Sequence, residues 1–356
     1  MVLASRILPV ALAATLIGCA ATTAPAPPPE ERLLVVNSGE GTLSLIPVDP
    51  ANPTRKVQLG PRGAGATDVS ARGQIAVAVV PDSDLVVVVD LVADNIRRTI
   101  TLPTGSRPTA VTIISDVVAY VANAGTDVVT RIDLTSGDTA SVAVGVHPRD
   151  LVVTRGRLFV VNANLGPCPE GLCRLGESWL TVVDPQSNTR AAGRDSIPLP
   201  SPGTARSATL GGDGLIYVVN IGDEAADVPG RLSIVDPIAR AEVGSFGGFG
   251  PVPSTVASDG VERLFVTSIR DGLMEFNTRS RRVVRGEGEG VFVSGNVAVA
   301  VDTQGRIYAI EVGGCAAGQP GRLRVFRPDL TEARNLLLGV CPVAAAFVQI
   351  PNPVAQ

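Results

Sequence analysis

Two kinds of short apolar segment alternate along the whole chain. The first is exemplified by Leu34–Asn37 and recurs with ends at residues 37, 80, 123, 162, 220, 268 and 311. The second follows after a loop, and in five copies it ends in an aspartate, namely Asp49, Asp90, Asp133, Asp184 and Asp236. Short apolar runs bounded by turn residues predict β-strands. The pattern therefore predicts a strand–loop–strand unit that occurs seven times.

Two further strands complete each copy. A third apolar segment leads to a Gly-x-x-Pro corner at 145–148 and 339–342, with near matches at 105–108 and 250–253, and a fourth leads into the next copy. Four strands in about 45 residues is the size of one propeller blade. We therefore predict an all-β fold, a seven-bladed β-propeller of four-stranded antiparallel blades over residues 32–351.

The ring is predicted to close with a strand from the C-terminus. The first copy begins at Leu33 in the second strand of its blade, so that blade lacks an inner strand. The apolar segment 343–348 follows the last corner and would supply it. Such closure removes the exposed edge of the sheet, and residues 352–356 are left as a tail.

The repeat resembles the YVTN family of β-propellers and, more broadly, the seven-bladed lactonase-like propellers. Tyr217-Val218-Val219-Asn220 and Tyr120-Val121-Ala122-Asn123 come closest, although no copy spells Tyr-Val-Thr-Asn. The resemblance covers about residues 33–350. The resemblance implies the propeller fold and, as one possible activity, that of a hydrolase or lyase.

The N-terminus has the layout of a secretory signal over residues 1–18. Arg6 precedes an apolar stretch that is too short to span a bilayer. Leu16-Ile17-Gly18-Cys19 resembles the lipobox of bacterial lipoproteins, which implies lipidation at Cys19 and a Pro-rich linker over 19–31. The residue after the cysteine is Ala20 and not an aspartate, which in lipoproteins of this kind implies transport to the outer membrane. The alternative is an ordinary secretory signal in which Cys19 has no role.

Composition narrows the possible functions. Glycine (38) and proline (28) are abundant, which favours short strands over long helices. The net charge of −4 offers no basic surplus for nucleic acid. A single histidine disfavours histidine-dependent catalysis and histidine-rich metal sites. We expect no metal, no cofactor and no catalytic constellation.

Four cysteines remain if Cys19 is lipidated. An even number in an oxidising compartment predicts two disulfides, which we assign as Cys168–Cys173 and Cys315–Cys341. In an up-and-down blade, the loop between strands two and three and the corner between blades emerge on one face, here called the corner face. Both predicted disulfides, and the long loops at about 163–178 and 221–230, fall on it.

The corner face also contains the candidate ligand-binding residues. We consider strand-end amides, two loop carboxylates and three corner guanidiniums that could recognise a carboxylate or phosphate. They are Asn37, Asn123, Asn162, Asn220, Asp223, Asp271, Arg107, Arg149 and Arg206. The alternative for the Asn and Asp residues is turn chemistry, and for the arginines it is pairing with neighbours such as Asp150. His147 occupies the corner position of Arg107 and Cys341, and we interpret it as a variable corner residue.

Three functions follow as hypotheses. The first is a non-enzymatic envelope module that binds a protein or glycan through its loop-rich face, with the membrane contacted only by the lipid. The second is a lactonase-like hydrolase or lyase that uses the channel mouth. The third is a structural subunit of an envelope complex. The sequence does not determine the oligomeric state.

Overall fold

A computed structural model describes residues 29–169, 171–223 and 228–351. The predicted signal peptide, Cys19 and the tail at 352–356 lie outside these residues. The chain forms seven antiparallel blades around a central channel, as predicted. In blades 2 to 7 the strands follow one another from the channel outwards, whereas blade 1 takes its inner strand from the C-terminal part of the chain.

The strands are given blade by blade. Blade 1 contains β1 (Glu30–Asn37), β2 (Thr42–Pro47) and β3 (Arg55–Gln58); blade 2 contains β4 (Asp68–Arg72), β5 (Ile75–Val80), β6 (Leu85–Asp90) and β7 (Asn95–Thr101); blade 3 contains β8 (Pro108–Ser115), β9 (Val118–Asn123), β10 (Val128–Asp133) and β11 (Thr139–Ala143). Blade 4 contains β12 (Pro148–Thr154), β13 (Arg157–Asn162), β16 (Ser178–Asp184), β17 (Thr189–Arg190) and β18 (Ser196–Leu199), and the loop between its second and third strands carries the hairpin β14 (Leu165–Cys168) and β15 (Gly171–Arg174).

Blade 5 contains β19 (Thr204–Leu210), β20 (Ile216–Ile221), β21 (Arg231–Asp236) and β22 (Ala241–Phe246); blade 6 contains β23 (Pro253–Ser258), β24 (Arg263–Ser268), β25 (Gly272–Asn277) and β26 (Arg282–Arg285); blade 7 contains β27 (Asn296–Val301), β28 (Ile307–Glu311), β29 (Pro320–Phe326) and β30 (Glu332–Val340). The final strand is β31 (Pro342–Ile350), and short 3-10 helices occur at Pro81–Ser83 and Cys315–Ala317. In blade 4 the outer strand is split, since β17 and β18 both pair with β16.

The ring closes as predicted. β31 pairs with β1 and becomes the inner strand of blade 1, with Leu33 opposite Phe347. The pairing continues outwards to Glu30 opposite Ile350. The first strand therefore begins two residues before the boundary predicted from the sequence, because β31 is long enough to pair with it there.

The core lies between blades. Successive side chains of a strand point to opposite faces of its sheet. In β5, Ala76 and Ala78 pack in the cluster shared with blade 1, whereas Val77 and Val79 pack in the cluster shared with blade 3. Both faces of the middle strands are buried, which explains why their sequences are continuous apolar runs.

The aspartates at the ends of the third strands belong to turns. Asp90 accepts hydrogen bonds from the backbone N–H groups of Val92 and Ala93 at 2.9 Å. The corresponding aspartates in blades 1, 3, 4 and 5 accept from the residues that follow them in the same way. These are Asx turns, so this recurrent residue has a structural role.

Candidate functional site

The two predicted disulfides are present on the corner face. Cys168–Cys173 closes the hairpin β14–β15, and Cys315–Cys341 joins a loop of blade 7 to the corner that precedes β31. The carbonyl of Cys341 also accepts a hydrogen bond from the backbone N–H of Ser38 at 2.8 Å. Both bonds therefore restrain loops on one face, and the second one restrains the point where the ring closes.

The four candidate asparagines are fully buried at the corner-face ends of their strands. The amide of Asn162 donates to the hydroxyl of Thr181 at 3.0 Å, while its oxygen accepts from the backbone N–H of Gly145 at 3.0 Å. Asn37 repeats this arrangement with Ser44 and Gly339. Asn37 and Asn162 thus join the corner to the blade, whereas Asn123 and Asn220 bond within their blades through Thr130 and Ser233. All four are buried and present no amide to a ligand on the surface.

The two candidate loop carboxylates differ in their surroundings. Asp271 accepts a hydrogen bond from the hydroxyl of Ser268 at 2.9 Å and so belongs to the tight turn after β24. Asp223 pairs through its backbone with Val228 across the loop of blade 5. The structure does not bring either aspartate to the central channel.

The three candidate arginines are separated into two groups. Arg149 and Arg206 line the channel near its corner-face end, whereas Arg107 is exposed on the corner. The backbone explains the difference. Arg107, His147 and Cys341 all have positive φ angles, of 48°, 56° and 55°, and so occupy one equivalent corner position. Arg149 and Arg206 instead lie two residues beyond this position, since Pro148 and Ala205 each pair with the asparagine near the end of the second strand of their blade.

An irregularity in strand pairing directs these two arginines into the channel. Pairing skips Arg149 between Pro148 and Asp150, and it skips Arg206 between Ala205 and Ser207. A residue left out of the ladder at a bulge points its side chain differently from its neighbours. The bulge is thus the local reason that both guanidiniums face the same cavity.

The cavity at this end of the channel has a volume of about 410 Å³. One side of its wall is polar and carries the charged residues of blades 2, 4 and 5. The other side is apolar and comes from blades 6, 7 and 1. The lining residues are Thr67, Asp68, Thr109, Ala110, Arg149, Asp150, Arg206, Ser207, Ala208, Thr255, Val256, Val297, Ala298, Val299, Val343, Ala344 and Ala345.

Two carboxylates in this cavity were not identified as site residues from the sequence. Asp68 accepts a hydrogen bond from the backbone N–H of Val111 at 2.9 Å, and Asp150 accepts from Leu151 and Ala208 at 2.7 and 2.8 Å. Each carboxylate therefore joins its inner strand to that of the next blade. The sequence signal was positional, because Asp68 and Asp150 occupy the same place in their repeats.

Burial changes the acidity of these groups. It raises the pKa of Asp68 to about 8, helped by repulsion from Asp150, and it raises the pKa of Asp150 to about 6 against the opposing effect of its hydrogen bonds. Burial likewise lowers the pKa of Arg206 to about 10, assisted by the positive charge of Arg149. The pKa of Arg149 is also lowered by burial.

The alternative interpretation of Arg149, a pairing with Asp150, is not seen as an ion pair within 4.0 Å, although the charge of Asp150 opposes the effect of burial on the pKa of Arg149. Neither Arg149 nor Arg206 has a hydrogen bond or an ion pair within 4.0 Å among the residues that the structure describes. His147, on the corner beside them, has a buried Nε2 atom without a hydrogen-bond partner, and burial lowers the pKa of its imidazole. The channel end therefore has two cationic groups whose charge no side chain pairs.

The described ranges contain no group of three or more His, Cys, Asp or Glu side chains placed to hold a metal ion. Within the same ranges, none of the helices has the length and apolar character needed to cross a membrane.

Comparison with known proteins shows the fold. No protein-family model and no curated protein matches the sequence. Hydrazine synthase from Kuenenia stuttgartiensis is similar in structure, with a TM-score of 0.61 and 13% identity over 80% of this chain and 96% of that one. Dihydro-heme d1 dehydrogenase NirN in complex with DHE has a TM-score of 0.56 and 14% identity over 88% and 74% of the two chains. At such identities the likeness extends to the β-propeller architecture alone.

Proposed function

We propose that this protein is a non-enzymatic lipoprotein of the bacterial envelope whose β-propeller binds a protein or glycan partner through its corner face. The observation that carries the proposal is a set of large apolar side chains exposed on that face. Leu172 and Leu175, on and beside the disulfide-closed hairpin of blade 4, are 55% and 62% exposed. Ile269, in the loop between the second and third strands of blade 6, and Phe292, in the corner between blades 6 and 7, are 55% and 77% exposed. Large apolar side chains exposed on the loops of one face favour a protein partner.

The partner experiment compares two faces of the same propeller. The lipidated full-length protein is crosslinked in intact cells, purified and analysed by mass spectrometry. Leu172→Asp with Leu175→Asp alters the corner face and leaves both disulfides in place. Ile238→Asp with Val261→Asp alters equally exposed residues, at 67% and 65%, on the opposite face. We expect one recurrent envelope protein that the first variant loses and the second retains.

Two results would contradict the proposal. If both variants retain the same crosslinked proteins, then the corner face is not the binding surface. If the parent yields nothing above background, then no stable partner exists. Recovery of several proteins in fixed stoichiometry would instead favour the structural-subunit hypothesis.

The membrane anchor is proposed on the resemblance of residues 16–19 to a lipobox. Two disulfides are compatible with an oxidising, extracytoplasmic compartment. We expect Cys19→Ser to move the protein from the membrane fraction to the soluble envelope fraction and to abolish labelling by a palmitate analogue. Ala20→Ser is the matched control. Unchanged membrane association of the Cys19→Ser variant would contradict lipid anchoring at Cys19.

The second candidate function is a lactonase-like hydrolase or lyase that uses the channel end. Its support is the carboxyl group of Asp150, whose pKa of about 6 suits a general base near neutral pH. A panel of lactones and esters tests it. Turnover that Asp150→Asn abolishes, with thermal stability preserved, would favour this function over the first. Absence of turnover across the panel would leave the binding function.

A further inference from the structure

The channel contains a pair of cationic side chains without a partner at ion-pair distance. Several other partly buried arginines of the described residues are paired, for example Arg32 with Asp94, Arg263 with Glu275 and Arg306 with Asp302. Arg149 and Arg206 are half-buried, project into one cavity and have no such partner. Removing a charge from water without a partner costs free energy. An anion between the two guanidiniums would offset that cost.

The nearby carboxylates do not supply this anion. Asp68 and Asp150 direct their oxygens to backbone N–H groups of the adjacent inner strands. The remaining strands around the cavity, β8, β23, β27 and β31, contribute no titratable side chain to its wall. The positive charge of the two arginines is therefore left facing the open part of the channel.

The rest of the wall restricts the ligand further. Opposite the charged side, Val297, Val299 and Val343 present an apolar surface, and alanines lie between them. A volume of about 410 Å³ lies in the range of small-molecule sites. A ligand that fills this space has an anionic group at one side and an apolar body at the other.

We propose that the corner-face end of the channel binds a small organic oxyanion, with its carboxylate or phosphate between Arg149 and Arg206 and its apolar body against Val297, Val299 and Val343. Arginine suits this role because its planar guanidinium donates two parallel hydrogen bonds to an oxyanion. The site is independent of any partner on the corner face. Its ligand enters the channel, whereas a protein partner contacts the loops.

The test uses four probes on the purified propeller with its disulfides intact. Benzoate and phenyl phosphate carry an anion on an apolar body, benzamide is the neutral analogue of benzoate, and inorganic phosphate lacks the apolar body. We expect benzoate or phenyl phosphate to bind with one-to-one stoichiometry in calorimetry, about tenfold or more tighter than benzamide or inorganic phosphate. Which of the two anions binds tighter identifies the oxyanion.

Variants of the arginines connect the binding to this site. Arg149→Met with Arg206→Met should reduce binding at least tenfold and should raise the melting temperature of the free protein, because it removes two unpaired charges. Arg107→Met is the matched control, since Arg107 is a corner arginine outside the cavity, and it should leave binding unchanged. A merely structural role of the pair predicts a lower melting temperature instead.

Three outcomes would overturn the proposal. Equal binding of benzoate and benzamide would show that the charge is not recognised. Binding that survives in the double variant would place the anion elsewhere. Binding of inorganic phosphate as tight as that of phenyl phosphate would show that an apolar body does not contribute to binding. None of these results depends on the crosslinking experiment, so failure here and failure of the corner-face proposal are separate.

Discussion

Single residues in the channel combine structural and chemical roles. Asp68 and Asp150 each accept backbone hydrogen bonds from the next blade, and they also determine the charge that a ligand meets. Asp68, with a pKa of about 8, is mostly protonated near neutral pH and adds little negative charge beside Arg149 and Arg206, whereas Asp150, with a pKa of about 6, is mostly ionised there. The two arginines outnumber the one ionised carboxylate, so the net charge of the cavity is positive, and it becomes more positive as pH falls.

The raised pKa of Asp68 predicts how its replacement changes stability. The pKa of Asp68 is about 8 in the folded protein, against 3.8 for an ordinary aspartate. Between these two pH values the folded state keeps the proton that the unfolded state has lost. Stability therefore falls as pH rises from about 4 through 8, since the unfolded chain loses the proton first. The charged groups that face Asp68 across the channel are Arg149, Asp150 and Arg206.

We expect Asp68→Asn, which keeps an oxygen for Val111, to be more stable than the parent at pH 9 by about 2 kcal/mol. The difference should shrink towards pH 4, and urea unfolding at several pH values measures it. Asp116→Asn is the control, because Asp116 forms only a surface ion pair with Arg72. A difference from the parent that stays constant across this pH range would contradict the assignment.

Individual elements of the propeller are restrained by disulfides at two places on the corner face. The hairpin β14–β15 is closed by a disulfide that spans five residues of sequence, and the corner before β31 by one that spans 26. In the chain-entropy account a disulfide stabilises by restricting the unfolded chain, and the effect grows with loop length. The two disulfides should therefore differ in how much they add to the free energy of unfolding.

We expect Cys315→Ser with Cys341→Ser to lower the free energy of unfolding by about 3–4 kcal/mol, and Cys168→Ser with Cys173→Ser by about 2 kcal/mol. Denaturant unfolding of the two double variants measures both values under the same conditions. The hairpin variant should in addition weaken partner capture, since Leu172 and Leu175 lose their restraint. Equal losses for the two bonds, or a larger loss at the hairpin, would contradict the ring-closure role of the corner bond.

The whole molecule depends on one contact between its two ends. β31 supplies the inner strand of blade 1 and packs beside β4 and β27 on the channel. Without it, β1 would become an exposed inner edge, and the apolar cluster around Leu34 and Val348 would open. An unpaired edge of this kind promotes association between chains.

We expect a chain that ends at Cys341 to aggregate, or to unfold at a much lower temperature and with less cooperativity than the parent. A chain that ends at Pro351 retains β31 and should behave like the parent. Light scattering and circular dichroism of the two truncated proteins give the comparison. A soluble and cooperatively folding protein that ends at Cys341 would show that the ring does not need this strand.

Much of this architecture could be predicted from the sequence because the contacts that define a blade are local. Strands within a blade pair with their neighbours along the chain, so recurrent apolar runs and Gly-x-x-Pro corners were sufficient to predict seven blades. The pairing of Cys315 with Cys341 followed from the same reasoning, since both residues fall in adjacent loops on one face. Ring closure was predictable for a similar reason, because the first blade lacked one strand.

Which charged side chains line the channel was determined only by the tertiary structure. Asp68, Arg149 and Arg206 come from three blades far apart in sequence and meet because the ring brings their inner strands around one axis. A one-residue bulge in each strand directs Arg149 and Arg206 inwards, whereas Arg107, two positions earlier in its repeat, stays outside. The sequence determined the repeated blade through local strand pairing, but the charge of the channel depends on which side chains a closed ring and its bulges turn towards the centre.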